Sequence, residues 1–386
     1  MILGGEGSSK EATDLIRIAA DFADLHLAPN AAHWGRGHFN RKALFEPAGD
    51  AGLLGLLVPH EFGGLNLSFE DKAKVLYQLA RIDFSAAMAL VNSHNVAAQL
   101  VNASPNLLAP LYVSQLIRGN IVACTALTEP EVGSDLGQMK TVAVQSSEGW
   151  LLNGTKTWVI NAAHADGVVV YAQTQAGSGV TGIASFFVHS NSVGFERLPI
   201  ETNNALNSMG IGGIRLNNVF CDASHLLFGP GDAFKDIMYA INRARTYVAA
   251  MCCGMVCQAL SEVKTYGSQR TAFGQSLDRF QGWRWQLSQA VTALQAAELL
   301  VRDACQLIDK GLEAQSAAAQ AKLFATSMAQ THLGTLLHAM GAEGFLDKYP
   351  FLRHLAASHA ASLADGSTAM LLERVAHDLR VNPGAS

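Results

Sequence analysis

The feature that most constrains this chain is a change of period, made twice. Up to about Gly119, apolar residues recur every three to four positions; Leu15, Ile16, Ile18, Ala19, Phe22 and Leu25, for example, fall on one helix face. Asn40 is placed to cap a helix over 41–54, and Val58-Pro59-His60-Glu61-Phe62-Gly63-Gly64-Leu65 breaks the pattern. Ser68, with Asp71 three residues on, opens the next helix toward Arg81, and an amphipathic stretch over 106–117 stops at Gly119. From Asn120 the texture becomes short β-branched runs at 121–128, 142–144, 150–152, 157–160, 168–172, 183–188 and 219–221, separated by Gly and Asn turns. Asn153-Gly154 between two of them reads as a hairpin turn. The runs lie too close together for helical crossovers, so this part reads as an antiparallel barrel or sandwich. After Gly231 the helical period returns over 234–266, 281–310, 314–340 and a last segment beyond Ser367, lengths that suit an up-down bundle. The expectation is an α+β multidomain chain: an N-terminal α-helical domain (1–121), a middle antiparallel β-barrel domain (122–232) and a C-terminal four-helix bundle (233–386).

Composition narrows the function classes. With 386 residues, 49% apolar and 15% charged, the chain can bury a large core, and disorder is excluded. Its 32 acidic and 27 basic residues leave a net charge of −5, with no basic stripe for a phosphate backbone, which argues against nucleic acid. The first ten residues carry no basic-then-apolar leader, and no uninterrupted apolar run reaches membrane-spanning length. The expectation is a cytoplasmic protein with no membrane partner. Cys124, Cys221, Cys252, Cys253, Cys257 and Cys305 form no CxxC pairs and read as buried free thiols, with no metal site. Few charges on an apolar chain also suit extensive subunit contacts.

Four places combine residues that packing alone does not require. Leu127-Thr128-Glu129-Pro130-Glu131-Val132-Gly133-Ser134-Asp135 ends a strand in a loop with free peptide N–H groups, suited to a polar edge or an anion. In Gly154-Thr155-Lys156-Thr157-Trp158-Val159-Ile160-Asn161, the Trp is either core or the cover of a planar ring. Arg270-Thr271-Ala272-Phe273-Gly274 follows a long helix, where the Arg either grips a phosphate or caps the helix end. Asp365-Gly366-Ser367-Thr368 alone reads as a plain N-cap.

These four segments in this order, with Val58-Pro59-His60-Glu61-Phe62-Gly63-Gly64, resemble the acyl-CoA dehydrogenase family over residues 15–380. The resemblance implies FAD held between the β domain and the helical bundle. Thr125, Leu127, Thr128, Gly133, Ser134, Trp158 and Ile160 would line it, with Ser367 and Ala369 near its ADP part. Arg270, Phe273, Gln281, His338, Gly341 and Ala342 would act on the FAD of a neighbouring subunit, which implies a homo-oligomer, dimer or tetramer, with shared cofactor sites. It implies α,β-dehydrogenation of an acyl-CoA or acyl-carrier-protein thioester: a carboxylate removes the α-proton while hydride leaves the β-carbon for flavin N5. Asp365 occupies the base position, Ser134, Asn242, Arg245 and Gly366 the substrate side, and an electron-transfer flavoprotein is a possible partner.

The chain departs from the family pattern at several of these positions. Asp365 stands where most members carry Glu, and Ala244 offers no carboxylate at the alternative position. A carboxylate one methylene shorter sits about 1 Å back, a displacement that can cost about a hundredfold in rate. Ile160 replaces a Thr that usually reaches flavin N5, His338 a Gln, Ala272 a polar residue and Ala364 an aromatic one, and the segment 208–218 is short. Nitroalkane oxidases use Asp at the base position, so a flavin-dependent oxidase or monooxygenase of a small non-thioester substrate is the alternative reading. A catalytically inert FAD-stabilised interaction protein is the third, and Thr128, Ser134, Trp158 and Arg270 argue against it.

Overall fold

The computed structural model describes residues 9–202 and 205–381. In chain order it forms helices α1 (Lys10–Phe22), α2 (Ala28–His33), α3 (Arg41–Asp50), α4 (Phe69–Ile82), α5 (Phe84–Ala103) and α6 (Leu108–Ile117). Strands β1 (Ala123–Ala126), β2 (Val142–Gln145), β3 (Gly149–Val159), β4 (Gly167–Gln173), β5 (Ile183–His189), β6 (Phe195–Pro199), β7 (Gly212–Asp222) and β8 (Leu226–Phe228) follow. Then come α7 (Asp232–Gln269), the short β9 (Thr271–Ala272) and β10 (Gln275–Ser276), α8 (Gln281–Asp309), α9 (Gln315–Met340), α10 (Phe351–Leu363) and α11 (Thr368–Val381). The helical, then β, then helical order expected from the periodicity holds. Two compact units arise from it, and neither is one continuous stretch: residues 34–67 with 88–240, and residues up to 33 with 68–87 and everything from 241 onward.

The first unit holds α3, α6, most of α5 and a sheet in the order β6-β7-β3-β2-β4-β5-β8, with β1 beside β4. Its core is apolar and comes from the inward faces of the strands, including Cys124, Leu152, Val168, Val170, Phe186, Ile214 and Val219. The pairing is antiparallel except that β1 runs parallel to β4 and β2 meets β4 in parallel at Val142 and Gln173. The β2–β3 hairpin, and not a helix, supplies the crossover between β1 and β4.

The reading of Asn153-Gly154 as a hairpin turn is wrong. The runs at 150–152 and 157–160 belong to one strand, β3, which passes straight through Gly154 and pairs with β7 on both sides of a register shift between Leu152 and Gly154. Gly154 takes φ 152°, and a Cβ there would lie 2.5 Å from Thr141 Oγ1 and 2.6 Å from Thr141 Cα. The glycine serves close approach within a bulge instead of a reversal. Gly154→Ala should therefore destabilise the chain by about 1–3 kcal/mol, the range for an overpacked site. Urea unfolding checks this, and a variant as stable as wild type would refute the crowding argument.

In the second unit α1 packs on α4, α4 on α8, and α8, α10 and α11 on α9. Local caps agree with the sequence. Ser68 Oγ accepts from the Asp71 amide at 3.1 Å and donates to the Asp71 carboxylate at 2.7 Å. The same helix start is held a second time by Asp309 at the end of α8, whose carboxylate accepts from the Phe69 and Glu70 amides at 2.6 and 3.0 Å. In the first unit, Asn40 caps α3 through the Lys42 amide at 3.0 Å, although that helix ends at Asp50 and not at residue 54.

Helix α10 has no counterpart among the sequence expectations. Its buried side chains, Phe351, His354, Ala357, Ser358 and Ala361, keep helical spacing, but most are too small or polar to give an apolar signal. Helix α7 covers the expected 234–266 and extends a few residues at each end. By length and composition it could cross a membrane, with a window of mean hydropathy 1.3, yet 78% of that window is buried inside the protein, as in the core helix of a globular chain. The six cysteines are free, five buried and Cys257 half-buried.

Candidate functional site

In the helical unit, α10 and α11 are joined by Ala364-Asp365-Gly366-Ser367. Asp365 lies in the left-handed region at φ 53°, and Gly366 follows at φ 104°. A non-glycine residue held there costs about 1–3 kcal/mol unless its surroundings enforce it. Here they do. Arg245 on α7 donates from Nε to the Asp365 carbonyl at 3.1 Å. Lys322 on α9 donates from Nζ to the Ala364 carbonyl and, at 2.6 Å, to the Gly366 carbonyl. Three successive peptide oxygens are thus taken by two cations, and a hydrogen bond to a charged donor contributes about 1.5–3 kcal/mol. Asn242, one turn before Arg245, accepts from its Nη1 at 3.1 Å and orients the guanidinium.

The backbone, not the carboxylate, satisfies these cations. The half-buried Asp365 carboxylate caps no amide of α11 among the described residues, while Ser367 stands at the N-cap position, its carbonyl accepting from the Leu371 amide at 3.0 Å. Burial pushes its carboxyl above the usual value, and Lys322, then Arg245, hold it back. Lys322 is itself lowered to about 8, by burial first, with Asp365 opposing. A carboxylate made more basic by desolvation yet kept ionised by nearby cations is equipped to accept a proton.

The sheet unit carries the other cluster. Thr125, Leu127 and Thr128 lie half-buried at and just beyond the end of β1, with Gly133 and Ser134 exposed on the loop that follows. A buried ion pair frames the loop. Lys156 Nζ on β3 donates to Glu129 at 2.9 Å and to the Leu127 carbonyl at 3.0 Å, and Glu129 also accepts from the Lys140 and Thr141 amides at 2.6 and 2.9 Å. Burial alone would raise the Glu129 carboxyl, but Lys156, Thr141 and the Lys140 amide outweigh it and hold it below its ordinary value. Two residues along β3, Trp158 takes φ 55° at the irregularity between Lys156 and Val159, and the residue is 60% exposed. Its indole is therefore not part of the core. Ile160 follows, half-buried.

A third group sits at the start of α8 in the helical unit. β9 and β10 form a two-stranded hairpin turned by Phe273 and Gly274, both at positive φ (49° and 80°), and Phe273 is 97% exposed. The Arg270 guanidinium caps no carbonyl and pairs with no carboxylate among the described residues, so of its two sequence readings the helix cap is excluded. Gln281, His338, Gly341 and Ala342 are all exposed, as is Ala369 at the start of α11, and Ser367 is half-buried.

The structure therefore brings Asp365, Gly366, Arg245 and Asn242 together, and Thr128 together with the loop of Gly133 and Ser134. Sequence reasoning missed Lys322 altogether. The available signal was a lysine on the stripe Ala318, Lys322, Ala325, Ala329 of a helix otherwise lined with alanine there. Glu129 and Lys156 both stand in recognisable motifs, but nothing in the sequence pairs them.

The models of the N-terminal, middle and C-terminal domains of acyl-CoA dehydrogenases match residues 9–119, 124–219 and 231–379. An acyl-CoA dehydrogenase of Bacillus subtilis is 28% identical, the match covering 93% of this chain and 95% of that protein. The mitochondrial short-chain specific acyl-CoA dehydrogenase of Homo sapiens is 28% identical over 92% of this chain and 86% of that one. Among solved structures, a complex of glutaryl-coenzyme A dehydrogenase with glutaryl-CoA superposes with a TM-score of 0.92 at 26% identity, covering 98% of this chain and 97% of that chain.

Proposed function

We propose, from the premise that this chain belongs to the acyl-CoA dehydrogenase family of oxidoreductases, that it dehydrogenates the α,β bond of an acyl thioester with FAD as cofactor and Asp365 as base. The observation that carries the reading is the Asp365 turn, where an uncapped carboxylate in a left-handed conformation faces two cations that are themselves spent on the backbone around it.

The residues present fit FAD. The sheet unit offers an exposed indole and the peptide N–H groups of Gly133 and Ser134; the helical unit offers an unengaged guanidinium and the exposed Phe273. In the sheet unit Thr125, Leu127, Thr128, Gly133, Ser134, Trp158 and Ile160 would hold the flavin. In the helical unit Ser367 and Ala369 would hold its ADP part, while Arg270, Phe273, Gln281, His338, Gly341 and Ala342 would serve the FAD of a second copy. The exposure of Phe273, Trp285 and Phe345 on the helical unit supports a homo-oligomer, dimer or tetramer.

When bound, FAD supplies a two-electron acceptor. The rest falls to side chains. Asp365 takes the α-proton onto a carboxylate oxygen whose basicity burial has raised. Arg245, oriented by Asn242, adds positive charge beside the thioester, where charge builds as that proton leaves. The acyl group is carried on coenzyme A or an acyl-carrier protein, electrons leave to a flavoprotein, and the compartment is the cytoplasm.

The test is anaerobic. Protein purified with FAD should be yellow, and an acyl-CoA should bleach it, while small nitro compounds should not. No bleaching by any of a panel of thioesters would sink the reading. Bleaching by a nitro compound, with peroxide formed on admitting air, would replace it with the oxidase alternative.

A further inference from the structure

We infer that Lys322 is a positioning residue for Asp365: its ammonium clasps the peptide oxygens on either side of Asp365, while Arg245 clasps the one between, and the charge of that clasp keeps the carboxylate aimed and ionised. The inference rests on the reading of Asp365 as the base. It adds a residue that the chemistry-bearing motifs do not contain, more than forty positions away in the chain on a different helix.

The geometry is specific. A lysine that only filled space on the alanine-lined stripe of α9 could point its ammonium to solvent at little cost. Instead Lys322 is fully buried and spans the turn, donating to the carbonyls of Ala364 and Gly366. Arg245 donates to the intervening carbonyl of Asp365. Ala364 lies at ψ 147° and Asp365 at φ 53°, so the chain reverses between the two oxygens that one ammonium holds. Without that clasp, an aspartate in the left-handed region relaxes toward commoner conformations, and its carboxylate moves with it. A shift of about 1 Å at a reacting group can cost about a hundredfold in rate.

The charges around Asp365 come from the helices packed on it. Of the two cations that oppose the effect of burial on Asp365, Lys322 on α9 has the larger influence and Arg245 on α7 the smaller. Cys252 of α7 acts on Lys322, and Arg374 of α11 acts on Arg245, with Asp378 salt-bridged to Arg374 at 2.9 Å. Removing the Lys322 charge leaves Arg245 as the remaining cation acting on a carboxylate that burial already disfavours in its ionised form. The acid limb of the activity profile, where Asp365 must lose its proton to act, then moves to higher pH.

Two variants separate the clasp from the charge. Lys322→Met removes both; Lys322→Gln keeps an N–H donor and removes only the charge. Each is purified as the full chain with FAD and read in two ways. The first is amide hydrogen exchange of residues 364–370, with α10 as the internal control. The second is the pH dependence of kcat with an acyl-CoA. Lys322→Met should speed exchange in 364–370 at least tenfold while α10 stays at its wild-type rate. It should also lower kcat at optimal pH about tenfold or more and raise the acid limb by about one pH unit, the shift expected from losing an opposite charge. Lys322→Gln, usable even if the Met variant does not fold, should raise the acid limb by a similar amount while retaining more of the exchange protection. Lys322→Arg, which restores charge and donors, should bring the acid limb back toward wild type. A purely structural lysine would lower thermal stability without moving the limb. Wild-type exchange over 364–370 together with an unmoved acid limb in Lys322→Gln overturns the inference. Full turnover in Asp365→Asn would sink the functional reading instead, whatever the exchange rates show.

Discussion

Asp365→Asn is expected to lower kcat by about 10²- to 10⁴-fold, the contribution of a positioned general base, while leaving FAD content and thermal stability intact. The amide is nearly isosteric, and the three hydrogen bonds that set the turn go to backbone oxygens, so the geometry survives the substitution. What disappears is the carboxylate that takes the proton. The stability side has a definite sign. The folded-state carboxyl is raised above its ordinary value, so the folded chain binds this proton more readily than the unfolded one. Ionising Asp365 therefore lowers stability as pH rises through and beyond the unfolded value of about 3.9. At neutral pH the Asn variant should be no less stable than wild type, and more so if anything. Thermal unfolding of the two proteins checks this: a variant that is both inactive and clearly less stable would mean that the carboxylate is structural. Asp365→Glu, which advances the carboxylate by one methylene, separates position from chemistry in the same assay.

Lys156→Met should destabilise the sheet unit by about 3–5 kcal/mol, the largest stability effect the structure supports. Glu129 is 4% exposed and Lys156 is fully buried, and the substitution leaves the carboxylate desolvated with only the Lys140 and Thr141 amides to satisfy it. Pairing it with Glu129→Gln should recover much of the loss, because the penalty comes from an orphaned charge and not from the missing bridge itself. The pH dependence follows from the depressed Glu129 value. A carboxylate whose folded value lies below its unfolded one, about 4.3, contributes stability that is complete above that pH and is lost as pH falls through the folded value. Wild type should show this loss at acid pH. Lys156→Met, already lacking the cation, should show a smaller acid decline. Urea unfolding followed by tryptophan emission measures both, and a Lys156→Met variant within about 0.5 kcal/mol of wild type would contradict the account. Since Lys156 also holds the Leu127 carbonyl, the same variant should bind FAD more weakly through the displaced Thr128 loop.

The order of elements was legible because period is a property of the chain alone. Long helices such as α8 and α9 begin within one residue of the positions expected from spacing and capping. What failed depended on neighbours distant in sequence. Asn153-Gly154 has the composition of a hairpin turn, but the backbone of Thr141 lies against Gly154, and a glycine that admits a neighbour looks the same in sequence as one that turns the chain. Helix α10 was hidden because alanine, serine and histidine bury well against α9 without raising local hydropathy. The parallel pairing of β1 with β4 could not be read from strands spaced for hairpins. The site followed the same rule. Asp365, Arg245 and the Thr128 loop stand in recognisable segments, whereas Lys322 and the Glu129–Lys156 pair acquire meaning only when α9 is laid beside the turn and β3 beside the loop. A buried cation among small residues marks a place where the fold must satisfy a charge, but it does not say whose.

The most direct test of the central claim, that Asp365 removes the proton next to the thioester carbonyl, is hydrogen exchange at that carbon. The protein with FAD bound is incubated anaerobically in heavy water with an acyl-CoA, and the recovered thioester is examined by mass spectrometry. The account predicts deuterium at the α-carbon with wild type and none above background with Asp365→Asn. Deuterium entering at the wild-type rate with Asp365→Asn would contradict it.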